Sequence, residues 1–208
     1  MTEGVSVKQA PALSWPEVAD QEALLVSRCV AGDEDACSVL VSEHQRLVLQ
    51  LAFHLLGDYE EARDLSQDVF LQVFRTISRF RGQSTMRTWI YRIVINQARN
   101  RQRWWRRRHR ADQVSLDQQI QDNGDRFVAD TALDPHRMLN QKQLASQVWQ
   151  ALDGLPFEQR TAVILREIDG LSYDEIAFSL GIAIGTVKSR LTRAREALRA
   201  RLRDVRVA

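Results

Sequence analysis

Between Arg75 and Arg110 the chain contains no aspartate or glutamate, while arginine occurs twelve times. A solvated helix face mixes its charges, so a block of one sign this long is no ordinary surface and points to a polyanionic partner. Other absences narrow the class further. No apolar run reaches the ~18 residues that a membrane span needs; the greasiest window, Leu47 to Leu56, is interrupted by Gln50 and His54. Membrane insertion is therefore not expected. The opening residues, MTEGVSVKQAPALSWPE, lack a basic start followed by an apolar core, which argues against export. Only two cysteines occur, Cys29 and Cys37, eight apart in a helical pattern. That excludes a disulfide framework and fits a reducing cytoplasm. Cys37, His44 and His54 have no metal-ligand spacing, and no Gly-rich phosphate loop, clustered carboxylates or Cys/His/Ser constellation is visible. Neither metal, cofactor, small-molecule substrate nor catalysis is expected.

What is present is helical periodicity, with no sustained strand alternation anywhere. After a loose start over 1–19, a helix is expected from Asp20 to Ala31, stopping at Gly32. Asp33 caps the next, which runs to Leu56 and ends at Gly57. Asp58-Tyr59-Glu60-Glu61 has the capping-box pattern and opens a third helix to about Ser78. RFRGQS breaks the pattern, and Thr85 to about Arg110 is helical again. From 111 to 135 there are six aspartates, one arginine and few large apolar residues, the composition of a flexible acidic linker. Asp134-Pro135 then opens a helix to Asp153, and another follows Leu155-Pro156 and closes at Gly170. The fold class is all-α: two small helical domains, 20–110 and 136–208, joined by that linker.

The C-terminal domain carries a second basic block. From Thr186 to Arg206 there are eight basic residues against only Glu196 and Asp204. Just before it, Ser172 and Glu175 form a capping box that starts a short helix, and Gly181 supplies the permissive turn. In the helix beyond, Val187, Leu191, Ala194 and Leu198 make one apolar stripe at helical spacing. Lys188, Ser189, Thr192 and Arg193 fall on a different face. This is a helix-turn-helix whose second helix suits the major groove. Arg193 or Lys188 can reach a guanine edge, and Ser189 and Thr192 can meet base edges or a thymine methyl. Thr186 and the backbone near Gly185 suit a phosphate, and Arg190 and Arg195 lie over the DNA backbone.

In the first basic block Trp89, Arg92, Asn96, Arg99 and Arg103 share one helical face, opposite Ile90, Tyr91, Val94 and Ala98. Arginines that track phosphate, with a flat aromatic and an amide at intervals, suit unpaired DNA. The preceding loop, Phe80 to Met86, is small and polar enough to wrap one extruded base; Arg79 and Arg81 flank its start.

These segments resemble a known family. LPFEQRTAVILREIDGLSYDEIAFSLGIAIGTVKSRLTRAREAL (Leu155 to Leu198) is similar to the promoter-binding domain of extracytoplasmic-function (ECF) sigma factors. DLSQDVFLQVFRTISRFRGQSTMRTWIYRIVINQARNRQR (Asp64 to Arg103) resembles their N-terminal domain, in the right order. The resemblance covers about Asp20 to Arg203. One departure is Ala183, where the family often has proline. The resemblance implies a dissociable subunit of bacterial RNA polymerase that recruits the core enzyme to promoters and promotes their opening. It implies that Thr186, Lys188, Ser189, Arg190, Thr192, Arg193 and Arg195 read the −35 element. Arg79, Arg81, Trp89, Arg92, Asn96, Arg99 and Arg103 would open and hold the −10 element. Asp64, Leu65, Gln67 and Asp68 would dock on the clamp helices of the polymerase largest subunit, and the C-terminal domain on the flap of the second-largest. An anti-sigma factor is a further implied partner. Two other functions compete: a stand-alone helix-turn-helix regulator, disfavoured by the lack of coiled-coil heptads, and a nucleic-acid enzyme, disfavoured by the lack of a catalytic constellation.

Overall fold

The computed structural model describes residues 16–111 and 135–203, with side chains over 21–108 and 143–203. Residues 1–15 and 112–134 lie outside the described residues, so of the expected linker only its ends, Ala111 and Pro135, are described, and both are helical. Among those described, every regular element is helical: α1 (Pro16–Val30), α2 (Glu34–Leu56), α3 (Tyr59–Thr76), α4 (Met86–Ala111), α5 (Pro135–Asp153), α6 (Phe157–Val163), α7 (Tyr173–Leu180) and α8 (Ile184–Arg201).

Local chemistry sets most of the boundaries. Asp33 caps α2 by accepting from the Ala36 N–H, and Gly57, at φ 82°, ends it in the left-handed region that favours glycine. Asp58 caps α3 by accepting from the Glu61 N–H at 2.8 Å. The other half of the expected capping box is diverted, because the Glu61 carboxylate meets Arg101 of α4 at 2.7 Å instead. Thr85 precedes α4, and its Oγ1 accepts from the Thr88 N–H at 3.2 Å. A second orphan donor at that end, the Met86 N–H, is satisfied across the fold by Glu22 of α1 at 3.0 Å.

α1 to α4 pack through Leu40, Val48, Leu51, Leu55, Leu65, Val69, Val73, Ile90, Val94 and Ile95, all buried. α5 to α8 pack through Trp149, Ile164, Leu165, Ile176, Val187 and Leu191. The two sets are continuous. His54 of α2 stacks on Trp149 of α5 with ring centroids 4.8 Å apart, and Ser179 of α7 donates to the Thr88 carbonyl of α4 at 3.4 Å.

One element departs from the expected single helix ending at Gly170. α6 holds α-helical bonds only to Val163, then widens into a π turn over Ile164–Ile168. There the Asp169 N–H donates to the Ile164 carbonyl at 3.1 Å, five residues back. The extra residue in that turn re-aims the chain toward α7. Leu165 stays buried inside while Glu167 and Ile168 face out.

Candidate nucleic-acid interface

α7 and α8 build the first surface. The capping box at Ser172 and Glu175 is present in both directions, with Glu175 accepting from the Ser172 N–H at 2.8 Å. Gly181, at φ 65°, closes α7, and the Ile182 N–H donates to the Ala177 carbonyl at 3.0 Å. In α8 Val187, Leu191 and Ala194 are buried and Leu198 half-buried, as the stripe requires, whereas Thr186, Lys188, Ser189, Thr192 and Arg193 are exposed. The two hydroxyls turn back on their own helix. Ser189 Oγ donates to the Thr186 carbonyl at 2.9 Å and Thr192 Oγ1 to the Lys188 carbonyl at 3.0 Å. Their oxygens keep acceptor lone pairs facing out. Arg195 is paired with Glu167 at 2.6 Å, which raises its pKa, and Arg190 with Glu158 at 2.6 Å. Of the arginines on this face, Arg193 has no acidic partner among the described residues.

α4 builds the second. Ile90, Tyr91, Val94 and Ala98 are buried on the face expected to be apolar, while Arg92, Asn96 and Arg103 are exposed opposite them. Trp89 is half-buried, its ring edge-on to Phe80 with centroids 5.6 Å apart. Arg79 and Arg81 are exposed before the loop. Arg99 is half-buried and held by Glu158 of α6, with Nε at 2.8 Å. Arg92 lies 5.6 Å from the ring centre of Phe178 in α7. Arg101, outside the expected set, braces α3: it donates to the Glu61 carbonyl at 2.9 Å and pairs with Asp68 at 3.0 Å.

On α3, Asp64, Gln67 and Asp68 are exposed and adjacent. Leu65 is not with them; at 1% exposure it is a core residue. It cannot meet a partner directly and acts as the floor beneath the polar patch. Leu65 adjoins Asp64 in sequence, but the helix turns it about 100° away from the patch.

Glu158 and Asp169 were not legible in the sequence. An acid in the first turn of α6 reads as a complement to the helix dipole, and nothing local shows that it collects two arginines. Asp169 sits at the seam between α4 and α7. Burial, opposed by the nearby Arg87 guanidinium, pushes its carboxyl up to about 6. Burial and the Asp169 charge push the Tyr91 hydroxyl up to about 12, against the hydrogen bond from Arg87. Cys29 is buried, and burial together with Cys37 raises its thiol to about 11, so the thiolate form is scarce at neutral pH.

Among the described residues every regular element is helical, α4 and α8 each present a basic face, and α3 carries a separate exposed acidic patch. Comparisons with known proteins agree. Residues 40–111 match the sigma-70 region 2 family and 145–198 the sigma-70 region 4 family. The chain is 37% identical to the RNA polymerase sigma-H factor of Pseudomonas aeruginosa, over 86% of this chain and 92% of that one. It is 34% identical to the ECF RNA polymerase sigma-E factor of Escherichia coli K12, over 84% and 91%. Among solved structures it is similar to CnrH in complex with the cytosolic domain of CnrY (TM-score 0.60, 22% identity, covering 88% of this chain and 97% of that one), a likeness of fold. It is also similar to the sigma factor RpoE of Bartonella quintana in complex with the anti-sigma factor NepR (TM-score 0.52, 26% identity, 90% and 97%). The chain belongs to the ECF sigma factors. It directs transcription initiation by RNA polymerase, and as a sigma factor it is not an enzyme.

Proposed function

We propose that α8 reads the −35 element as duplex, with Lys188, Ser189, Thr192 and Arg193 at base edges and Thr186, Arg190 and Arg195 on the backbone. The α4 face, Trp89, Arg92, Asn96, Arg99 and Arg103, with Arg79 and Arg81, holds the non-template strand of the −10 element once it is unpaired. Base stacking there contributes about 1–3 kcal/mol per base, which offsets unstacking costs of a few kcal/mol. Asp64, Gln67 and Asp68 dock on the clamp helices of the largest polymerase subunit, and the C-terminal domain on the flap. In this division 20–110 opens and docks, 136–208 reads duplex, and 111–135 connects them.

The observation that carries this reading is the contrast along α8: a buried apolar stripe beneath, and Lys188, Ser189, Thr192 and Arg193 exposed together above it. No helix of the described residues is long and apolar enough to cross a membrane, and the protein works in the cytoplasm, where promoters are. An anti-sigma factor restrains it, as NepR is bound to RpoE in the related structure.

Run-off transcription with purified core polymerase on promoter fragments tests the assignment. Start sites that depend on the added chain and shift when Arg193 or Trp89 is changed support it. Specific promoter binding by the isolated chain, unaffected by core polymerase, would establish a stand-alone regulator instead.

A further inference from the structure

Cys29 and Cys37 stand four residues to either side of Asp33, in the last turn of α1 and at the opening of α2. The corner between them is fixed from both sides. The Gly32 N–H donates to the Cys29 carbonyl at 3.1 Å, and the Cys37 N–H to the Asp33 carbonyl at 3.1 Å. Arg28 Nε meets Asp33 Oδ2 across the same turn at 2.8 Å. Ala36, fully buried beside Cys37, adds no bulk to hold the two helices apart. Both cysteine side chains belong to one packed core, and the Cys29 thiol is in hydrogen-bond contact with Cys37. Their access to solvent differs. Cys29 is 7% exposed, whereas Cys37 is half-buried and lines a groove of about 360 Å³ between α2 and α3. Ser38, Ser42 and Gln45 line the same groove, so its wall offers hydroxyls and an amide beside the thiol.

We propose that Cys29 and Cys37 are a dithiol oxidised by hydrogen peroxide, in which Cys37 meets the oxidant and Cys29 resolves the product. A small uncharged peroxide enters the groove and hydrogen-bonds to its polar wall. The Cys37 thiolate attacks one peroxide oxygen, the O–O bond breaks, and the Cys37 sulfur becomes a sulfenic acid, oxidised by two electrons. The other oxygen leaves as hydroxide and is protonated to water by the proton that Cys37 gave up. The Cys29 sulfur, deprotonated, then attacks the Cys37 sulfur. The S–S bond forms, the S–O bond breaks, and the departing hydroxide takes the Cys29 proton as a second water. Two thiols and one hydrogen peroxide thus give one disulfide and two waters. Burial and the neighbouring Cys37 push the Cys29 thiol up to about 11, so the second step is slow and the pair answers sustained oxidant. Cytosolic disulfides are usually transient bonds of this kind. The cross-link would also fix α1, whose Glu22 caps the start of α4.

The test treats the full chain with hydrogen peroxide in small molar excess, then counts free thiols and measures the intact mass. Wild type is expected to lose both thiols, to stay a monomer lighter by two hydrogen atoms, and to regain both thiols in dithiothreitol. The same treatment in urea is expected to give less of this disulfide, because the folded corner is what brings the sulfurs together. In Cys29→Ser no resolving thiol remains, so Cys37 sulfenic acid accumulates and dimedone labels it more strongly than in wild type. Two intact thiols in treated wild type would overturn the proposal. So would a disulfide formed only between chains, or an intramolecular one that forms equally well in urea. If Cys29→Ser does not fold, the wild-type mass and the urea comparison decide alone. The chemistry needs neither DNA nor polymerase, so its failure leaves the promoter-reading assignment standing.

Discussion

Arg160 of α6 reaches into the end of α2, where its Nη2 donates to the Leu55 carbonyl at 2.9 Å. Carbonyls in the last turn of a helix have no partner inside it, so this guanidinium satisfies a group that the joint between the two halves would otherwise leave buried. Its Nη1 meets Asp153 at 2.9 Å, and the residue is only 7% exposed. Arg160→Ala is expected to cost about 2–4 kcal/mol, because it leaves the buried Leu55 carbonyl without this donor and breaks the ion pair with Asp153. Arg160→Lys should recover only part of that loss, since one ammonium cannot reproduce the planar fork. Urea denaturation measures both; full recovery by lysine would show that charge alone matters there.

The seam also carries a pH dependence. The Asp169 carboxyl is pushed up to about 6 from an ordinary 3.8, and its Oδ2 is buried with no hydrogen-bond partner among the described residues. A raised carboxyl pKa means that the folded chain holds the proton more tightly than the unfolded chain. This group's contribution to stability is therefore full below about pH 4 and is lost as pH rises through about 6. Asp169→Asn removes the buried charge. It should stabilise the protein at neutral pH by on the order of 1–2 kcal/mol, with the advantage fading as pH falls to about 4. Thermal melts across that range read the effect, and an advantage independent of pH would reject the buried-charge explanation.

What could be read from sequence was what is local. Asp33, Gly57, Asp58, the Ser172–Glu175 box and Gly181 act within a few residues of themselves, and the buried stripe of α8 repeats at helical spacing; each was visible in one dimension. The features that escaped are settled by distant partners. Glu22 caps α4 from 64 residues away, Glu158 collects arginines from two other helices, and the π turn at Ile164–Ile168 reconciles α6 packing with the entry to α7. Leu65 shows the remaining gap, since adjacency in sequence placed it in a surface patch that the helix rotates it away from.

Ala183 stands at φ −69° immediately before α8, with no side-chain cap. That is the φ a pyrrolidine ring imposes, so the proline common in the family fits this backbone. Ala183→Pro is expected to raise stability by about 0.4–1 kcal/mol through a less flexible unfolded chain. A loss on thermal melting would show that the bond into Ile182 cannot take the extended conformation proline demands of its predecessor.

Asp64 and Leu65 are neighbours with opposite burdens. Asp64→Ala should weaken binding to core polymerase while leaving the melting temperature near wild type, because the carboxylate is exposed. Leu65→Ala empties a core site and should cost about 2–5 kcal/mol of stability, with any loss of binding following from unfolding. Competition for core polymerase, measured beside urea unfolding, separates the two. If Asp64→Ala competes as well as wild type, this face of α3 is not the docking surface.

Trp89 divides its surface between two roles. The ring packs on Phe80 at an interplanar angle of 64°, and it is half-buried on the helical face of α4 that also carries the exposed Arg92 and Asn96. Trp89→Ala should therefore cost about 1–3 kcal/mol of stability and also slow promoter opening, while closed-complex formation persists. Trp89→Phe keeps an aromatic face and should preserve most of the opening rate. Permanganate reactivity of unpaired thymines follows opening directly, at temperatures where both variants remain folded. Wild-type reactivity in a destabilised Trp89→Ala would make the ring a packing residue, and would leave Arg92, Asn96 and Arg103 to hold the strand without it.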